Sequence, residues 1–139
     1  MLPIMCLNAA RLALDPGRSR CGWALECQGL SSPLMGEVNV GKLGPFLRSV
    51  ARFFEIDRVI VGDGTGHREV LEEAYRVFGE LLVSLASESG STEEARRLYV
   101  QERGGSWLGR NLLYLRFALA KPPLDGYAAW VLLRRHRPL

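Results

Sequence analysis

Thiols are scarce in this chain of 139 residues, where Cys6, Cys21 and Cys27 are the whole set. Their odd number and the absence of a Cys-x-x-Cys pair argue against a disulfide framework, and no partner sits at zinc-ligand spacing. They read as reduced, buried thiols of a cytoplasmic protein. Histidine is scarcer still. Neither His67 nor His136 has a serine or cysteine partner at a readable spacing, so a nucleophilic triad has no support. No uncharged apolar run reaches the roughly 18 residues that a membrane helix needs, so no membrane partner is expected. Met1–Leu14 lacks a basic start and is interrupted by Asn8 and Arg11, unlike a secretory leader.

What is present is ordinary in bulk. Apolar residues make up 47% of the chain, charged residues 24%, and the net charge is +3, which excludes a disordered polymer. The length fits a single domain over 1–139, burying roughly two thirds of the unfolded chain's surface. The basic set is uneven in kind and in place. Of 18 basic residues only Lys42 and Lys121 are lysines, and seven Arg and Lys stand against Glu102 and Asp125 between Glu102 and Leu139. Guanidinium forks match phosphate oxygens, so an anionic polymer is one partner for that segment; a merely solvated basic face is the other reading.

Apolar patterning orders the elements. Arg11–Asp15 is a short apolar strand closed by a carboxylate and the Pro16-Gly17 turn signal. Arg20–Cys27 and Pro33–Val40 alternate with period two, as half-buried strands do, and short connections predict an antiparallel meander. Leu43, Phe46, Leu47, Val50, Phe53 and Phe54 recur at helical spacing, predicting a helix over about 43–55. Arg58–Gly62 and Leu81–Ala86 read as strands buried on both faces, with a helix over Arg68–Glu80 between them. Ser91 and Glu94 have the spacing of a capping box for a helix reaching about Glu102. Residues 104–123 give no clear period, and Asp125–His136 reads as a last helix. This order predicts an α/β fold with a mixed five-stranded sheet, three antiparallel strands then two parallel, flanked by helices. The strand beginning at Arg58 should lie parallel to the first strand.

The acids then become informative. Asp15, Asp63 and Glu88 each follow or close a strand, so parallel strands would deliver all three to one carboxyl edge, with Asp125 beside them at the start of the last helix. That edge is where open α/β sheets bind ligands. Gathered carboxylates repel, and hard oxygen donors suit Mg²⁺ or Mn²⁺. Each acid also has a plainer use: a turn residue at 15 and 63, a solvated side chain at 88, a helix cap at 125. Gly62-Asp-Gly-Thr-Gly66 is a glycine-rich strand-to-helix connection able to hold a phosphate oxygen with the help of Thr65, or equally a tight turn. It lacks the lysine of a P-loop. Trp107 and Tyr114, set among Arg103, Arg110 and Arg116, suit either base stacking or a core.

Four segments in this order resemble a known family. Asp15-Pro-Gly-Arg-Ser-Arg-Cys-Gly22-Trp-Ala-Leu25 resembles the opening motif of the RuvC and YqgF nucleases. Arg58-Val-Ile-Val-Gly62 is similar to the YqgF strand that ends in glycine. Glu88-Ser-Gly-Ser-Thr92-Glu-Glu-Ala95 looks like that family's glutamate motif, and Leu124-Asp125-Gly-Tyr-Ala128-Ala129 like its late helix start. Ser87 and Ser89 stand where the family usually has Asp and Arg, and Gly62–Glu69 looks more like the YqgF-like domain of the transcription accessory protein Tex.

The resemblance implies an RNase H-like fold with a two-metal acidic site, in which Asp15, Glu88 and Asp125 take the catalytic positions and Asp63 is a rival metal ligand. It implies a Mg²⁺- or Mn²⁺-dependent nuclease acting on Holliday junctions or ribosomal RNA precursor, as a monomer or homodimer. Gly17, Arg18, Thr65, His67, Arg68, Arg110, Arg116 and Lys121 would hold nucleic acid. A non-catalytic nucleic-acid-binding module on the same fold is the alternative. Nucleotide binding, as in the acetate and sugar kinase fold that also opens with Asp-x-Gly, is a third reading, although such proteins need two such domains.

Overall fold

The computed structural model of the chain describes residues 6–30, 32–104 and 124–136. Strands β1 (Cys6–Pro16), β2 (Arg20–Glu26) and β3 (Leu34–Asn39) form the expected antiparallel meander. A 3-10 turn over Val40–Lys42 leads into α1 (Leu43–Phe53), which buries Leu43, Leu47 and Val50. The strand β4 (Phe54–Gly62), the helix α2 (His67–Phe78), the strand β5 (Val83–Ala86) and the helices α3 (Ser91–Gly104) and α4 (Asp125–Arg135) follow. The sheet order is β3-β2-β1-β4-β5, with β4 parallel to both β1 and β5. This is the expected mixed sheet, three antiparallel strands followed by two parallel ones, flanked by helices.

Several boundaries differ from the sequence pattern for identifiable reasons. The helical spacing runs through Phe53 and Phe54, yet Phe54 is extended and only its amide, bonded to the Val50 carbonyl, continues the helix. Strand β4 therefore starts at Phe54 rather than at Arg58. At the other strand, Leu81 is 98% exposed in the turn leading to β5, so the apolar run begins to pair only at Val83. Nor is β2 half-buried. Cys21 and Leu25 face one core, while Ala24 is fully buried in the other.

Two cores sandwich the sheet. On one side Leu12, Leu14, Val59 and Val61 meet Leu43, Leu47, Val70 and Ala74 of α1 and α2. On the other, Ala13, Ala24, Ile60 and Ala86 meet Ala95 and Leu98 of α3 and Ala128, Ala129, Leu132 and Leu133 of α4. Three of these four strand residues are alanines, so the helix layer lies close to the sheet. Gly126 shows how close: a Cβ built there would stand 3.1 Å from the Met35 Cβ and 3.2 Å from the Gly36 nitrogen. Arg11 ties the far end of α4 to β1. Its guanidinium donates to the carbonyls of His136 (2.8 Å) and Leu133 (3.2 Å) and bonds Glu26 at 2.5 Å.

Candidate functional site

The carboxyl edge is assembled by β1, β4 and β5. Leu14 and Val61 are register partners, so Asp15 and Gly62 are the next residues on adjacent strands, about 4.8 Å apart in the pairing direction. Alternation puts Asp15 on the face of Ala13 and Gly62 on the face of Ile60, the face covered by α3 and α4. Asp15 is half-buried there. Past the strand end, the Asp63 amide donates to the Ala86 carbonyl at 2.9 Å, which extends the parallel ladder by one bond. The loop after β5 then turns back. Its Glu88 amide donates to Asp63 Oδ1 at 3.0 Å.

That bond sets where the Glu88 side chain goes. A Cβ built on Gly62 or on Gly64 would overlap its carboxylate, so Glu88 lies across the bare backbone of both glycines. Its Oε1 is buried and has no hydrogen-bond partner among the described residues. A buried carboxylate oxygen without a donor is costly and is normally satisfied by a proton, a water or a cation. Glu88, from the loop after β5, thus lies over Gly62, the residue level with Asp15 on the adjacent strand. Asp63 is placed at the same edge, but exposed and spent on the Glu88 amide.

The last helix contributes its start. Gly126 rests on Met35 and Gly36, and Gly36 pairs with Trp23, itself the partner of Leu14. The backbone of Asp125 therefore enters near the carboxyl end of β1, on the β2–β3 side; its side chain lies outside the described atoms. Among the described residues, no three His, Cys, Asp or Glu side chains gather as a metal-holding group. The donors present at Asp15 and Glu88 are carboxylate oxygens, the type a hard divalent cation takes, and the orphaned Glu88 oxygen fits such a role.

Beside the acids, the Gly62–Gly66 connection leads into α2 through Gly66, which has φ +78°. A Cβ at Gly66 would stand 3.2 Å from the Gly17 carbonyl oxygen, so this connection touches the β1–β2 turn. Arg18 of that turn, Thr65 and Arg68 are exposed around the contact. The His67 amide donates to the Gly64 carbonyl at 3.1 Å and Nδ1 sits 3.0 Å from the same oxygen. With Nδ1 as donor, Nε2 is the ring's remaining acceptor. Gly17, Arg18, Thr65, His67 and Arg68 are thus neighbours through one loop contact. Arg110, Arg116 and Lys121 lie outside the described residues.

No sequence pattern marks Arg135, yet it reaches the loop before Glu88 from α4. Its Nη1 donates to the Ser87 carbonyl at 3.3 Å, and Nη2 and Nε donate to Glu94 Oε1 at 2.6 and 3.2 Å. One side chain of α4 thereby fastens the loop carrying Glu88 and the first turn of α3. The expected Ser91–Glu94 box is replaced: the Ser91 amide goes to the Glu88 carbonyl, and the Glu94 amide to that of Gly90. The bond from Arg135 holds the Glu94 carboxyl below its usual range against a smaller opposing effect of burial, with the charges of Arg135, Arg134 and Arg97 acting in the same direction as the bond.

No family model matches the chain, and no curated protein matches it. Solved structures do resemble it. RuvC of Thermus thermophilus is 15% identical, with 91% of this chain and 95% of that one covered at a TM-score of 0.47. YeaZ from Pseudomonas aeruginosa is 22% identical, with 68% of this chain and 50% of that one covered at 0.46, so this chain spans about half its length. The PPX-GPPA enzyme of Aquifex aeolicus is 15% identical over 66% of this chain and 39% of that one at 0.35.

Proposed function

We propose that this chain is a divalent-cation-dependent phosphodiesterase of the RuvC and YqgF kind, cutting structured nucleic acid such as a DNA junction or ribosomal RNA precursor. The observation that carries the reading is the buried oxygen of Glu88, without a hydrogen-bond partner among the described residues, held over Gly62, the residue level with Asp15 on the adjacent strand. Asp15 and Glu88 would hold Mg²⁺ or Mn²⁺, with Asp125 as the further carboxylate from α4. Such a cation supplies Lewis-acid activation of water and neutralises charge on the phosphodiester. The chain's own residues bind and orient. The amides of Gly64–Gly66, the hydroxyl of Thr65 and the charges of Arg18 and Arg68 steady the phosphate next to the scissile one. His67 Nε2 would accept a hydrogen bond there. Arg110, Arg116 and Lys121 take more distant phosphates.

Asp15→Asn is expected to abolish Mn²⁺-dependent cleavage of a labelled four-way DNA junction and of an RNA precursor fragment, while leaving the thermal midpoint within a few degrees of wild type. Cleavage by that variant at the wild-type rate discards the mechanism. A second reading, a binding module without cleavage, is favoured by Asp63 being spent on the Glu88 amide and by Ser87 and Ser89 in place of the motif residues. Under it, binding is indifferent to EDTA and no substrate is cut.

A further inference from the structure

Two concavities flank the Arg135–Glu94 pair. One, of about 380 Å³, lies between α3 and α4 and is lined by Arg97, Gln101 and Arg134 together with the pair itself. The other, of about 520 Å³, is lined by Arg11, Asp57, Arg58, Ser84 and His136, again with Arg135. Arg135 lines both, and it also bonds the carbonyl of Ser87, the residue before Glu88. Through that bond the furrow between α3 and α4 is tied to the loop that carries the candidate catalytic carboxylate.

Its charges do not cancel. Glu94 is taken by Arg135, Arg11 by Glu26, and Asp57 stands next to Arg58 in sequence and in the lining. Arg97 and Arg134 are left over. Both are exposed, and neither forms a salt bridge among the described residues. No aromatic side chain lines the α3–α4 concavity among the described residues, whereas the imidazole of His136 lines the other, so it is the α3–α4 concavity that offers a base no aromatic stacking surface. Guanidinium forks in an open furrow without stacking surfaces suit a run of phosphates rather than bases.

We propose that the α3–α4 furrow holds the sugar-phosphate backbone of the nucleic-acid strand leading away from the carboxyl edge, with Arg97 and Arg134 on its phosphates and no reading of sequence. This deepens the nuclease reading and rests on its nucleic-acid half. The test uses a fluorescently labelled four-way DNA junction in EDTA, titrated with the full-length protein over a series of salt concentrations. Arg97→Ala combined with Arg134→Ala is expected to lower the slope of log affinity against log salt by about 1.5 to 2, at the roughly 0.9 per phosphate contact of duplex DNA. Arg48→Ala combined with Arg52→Ala, exposed positions on α1 across the sheet, is expected to leave the slope unchanged. An unchanged slope in the first variant overturns the furrow alone, since Asp15-dependent cleavage would stand. Equal losses in both variants also overturn it, because net charge would then explain the binding. A wild-type protein that binds no junction at low salt overturns the furrow and the nucleic-acid reading together.

Discussion

Positions 62 and 64 matter for what they leave open. The Glu88 carboxylate fills the space where their side chains would be, and the close approach brings it over the end of β4 instead of into solvent. Any added carbon must move it. Gly62→Ala is expected to destabilise the fold by about 1–3 kcal/mol, the usual range for overpacking a filled site, measured by urea unfolding. In a Glu88→Ala background most of that cost should vanish, giving a coupling of at least about 1 kcal/mol between two residues in contact. Strict additivity would mean that Glu88 does not lie where it is described. Asp15 and Glu88 were legible in the sequence because strand ends can be read from apolar runs. The role of Asp63 was not, since its acceptor bond to an amide 25 positions away depends on how the loop after β5 turns back.

Among the elements, the strands were read most faithfully where one side alternates against polar residues, as in β3. Reading failed where apolar residues continue across a boundary. Leu81 and Leu82 extend the run of β5 without joining it, and Phe54 continues the helical spacing of α1 while its backbone is already extended. Glu94 was assigned to a local cap because its spacing from Ser91 is the cap's; its partner, Arg135, is 41 positions distant. That ion pair has a consequence in acid. The Glu94 carboxyl is lowered from 4.5, so its stabilisation is complete above about pH 4.5 and is lost as the pH falls through the folded-state value. Because its side chain is 44% exposed, the pair should contribute only about 0.2–1 kcal/mol. Arg135→Met is expected to remove that amount at neutral pH and to flatten the acid limb of a stability-against-pH curve. An identical limb in the variant would assign the acid sensitivity to other groups.

At the scale of the molecule, the sheet separates two cores that share no side chain among the described residues. Leu14→Ala empties one and Leu132→Ala the other, each fully buried. Each is expected to cost about 2–5 kcal/mol, and the two costs should add within about 0.5 kcal/mol because no shared partner couples them. A clear departure from additivity in chemical denaturation would show that the layers communicate through the strands.

The clasp of Arg11 on the carbonyls of Leu133 and His136 joins positions more than 120 apart. On a ribosome the first strand is made long before its clasp is. Until α4 has been made, Ala13, Ala24 and Ile60 have only part of their cover. The second core is therefore closed only after α4 has been made, long after β1 and its neighbours have paired.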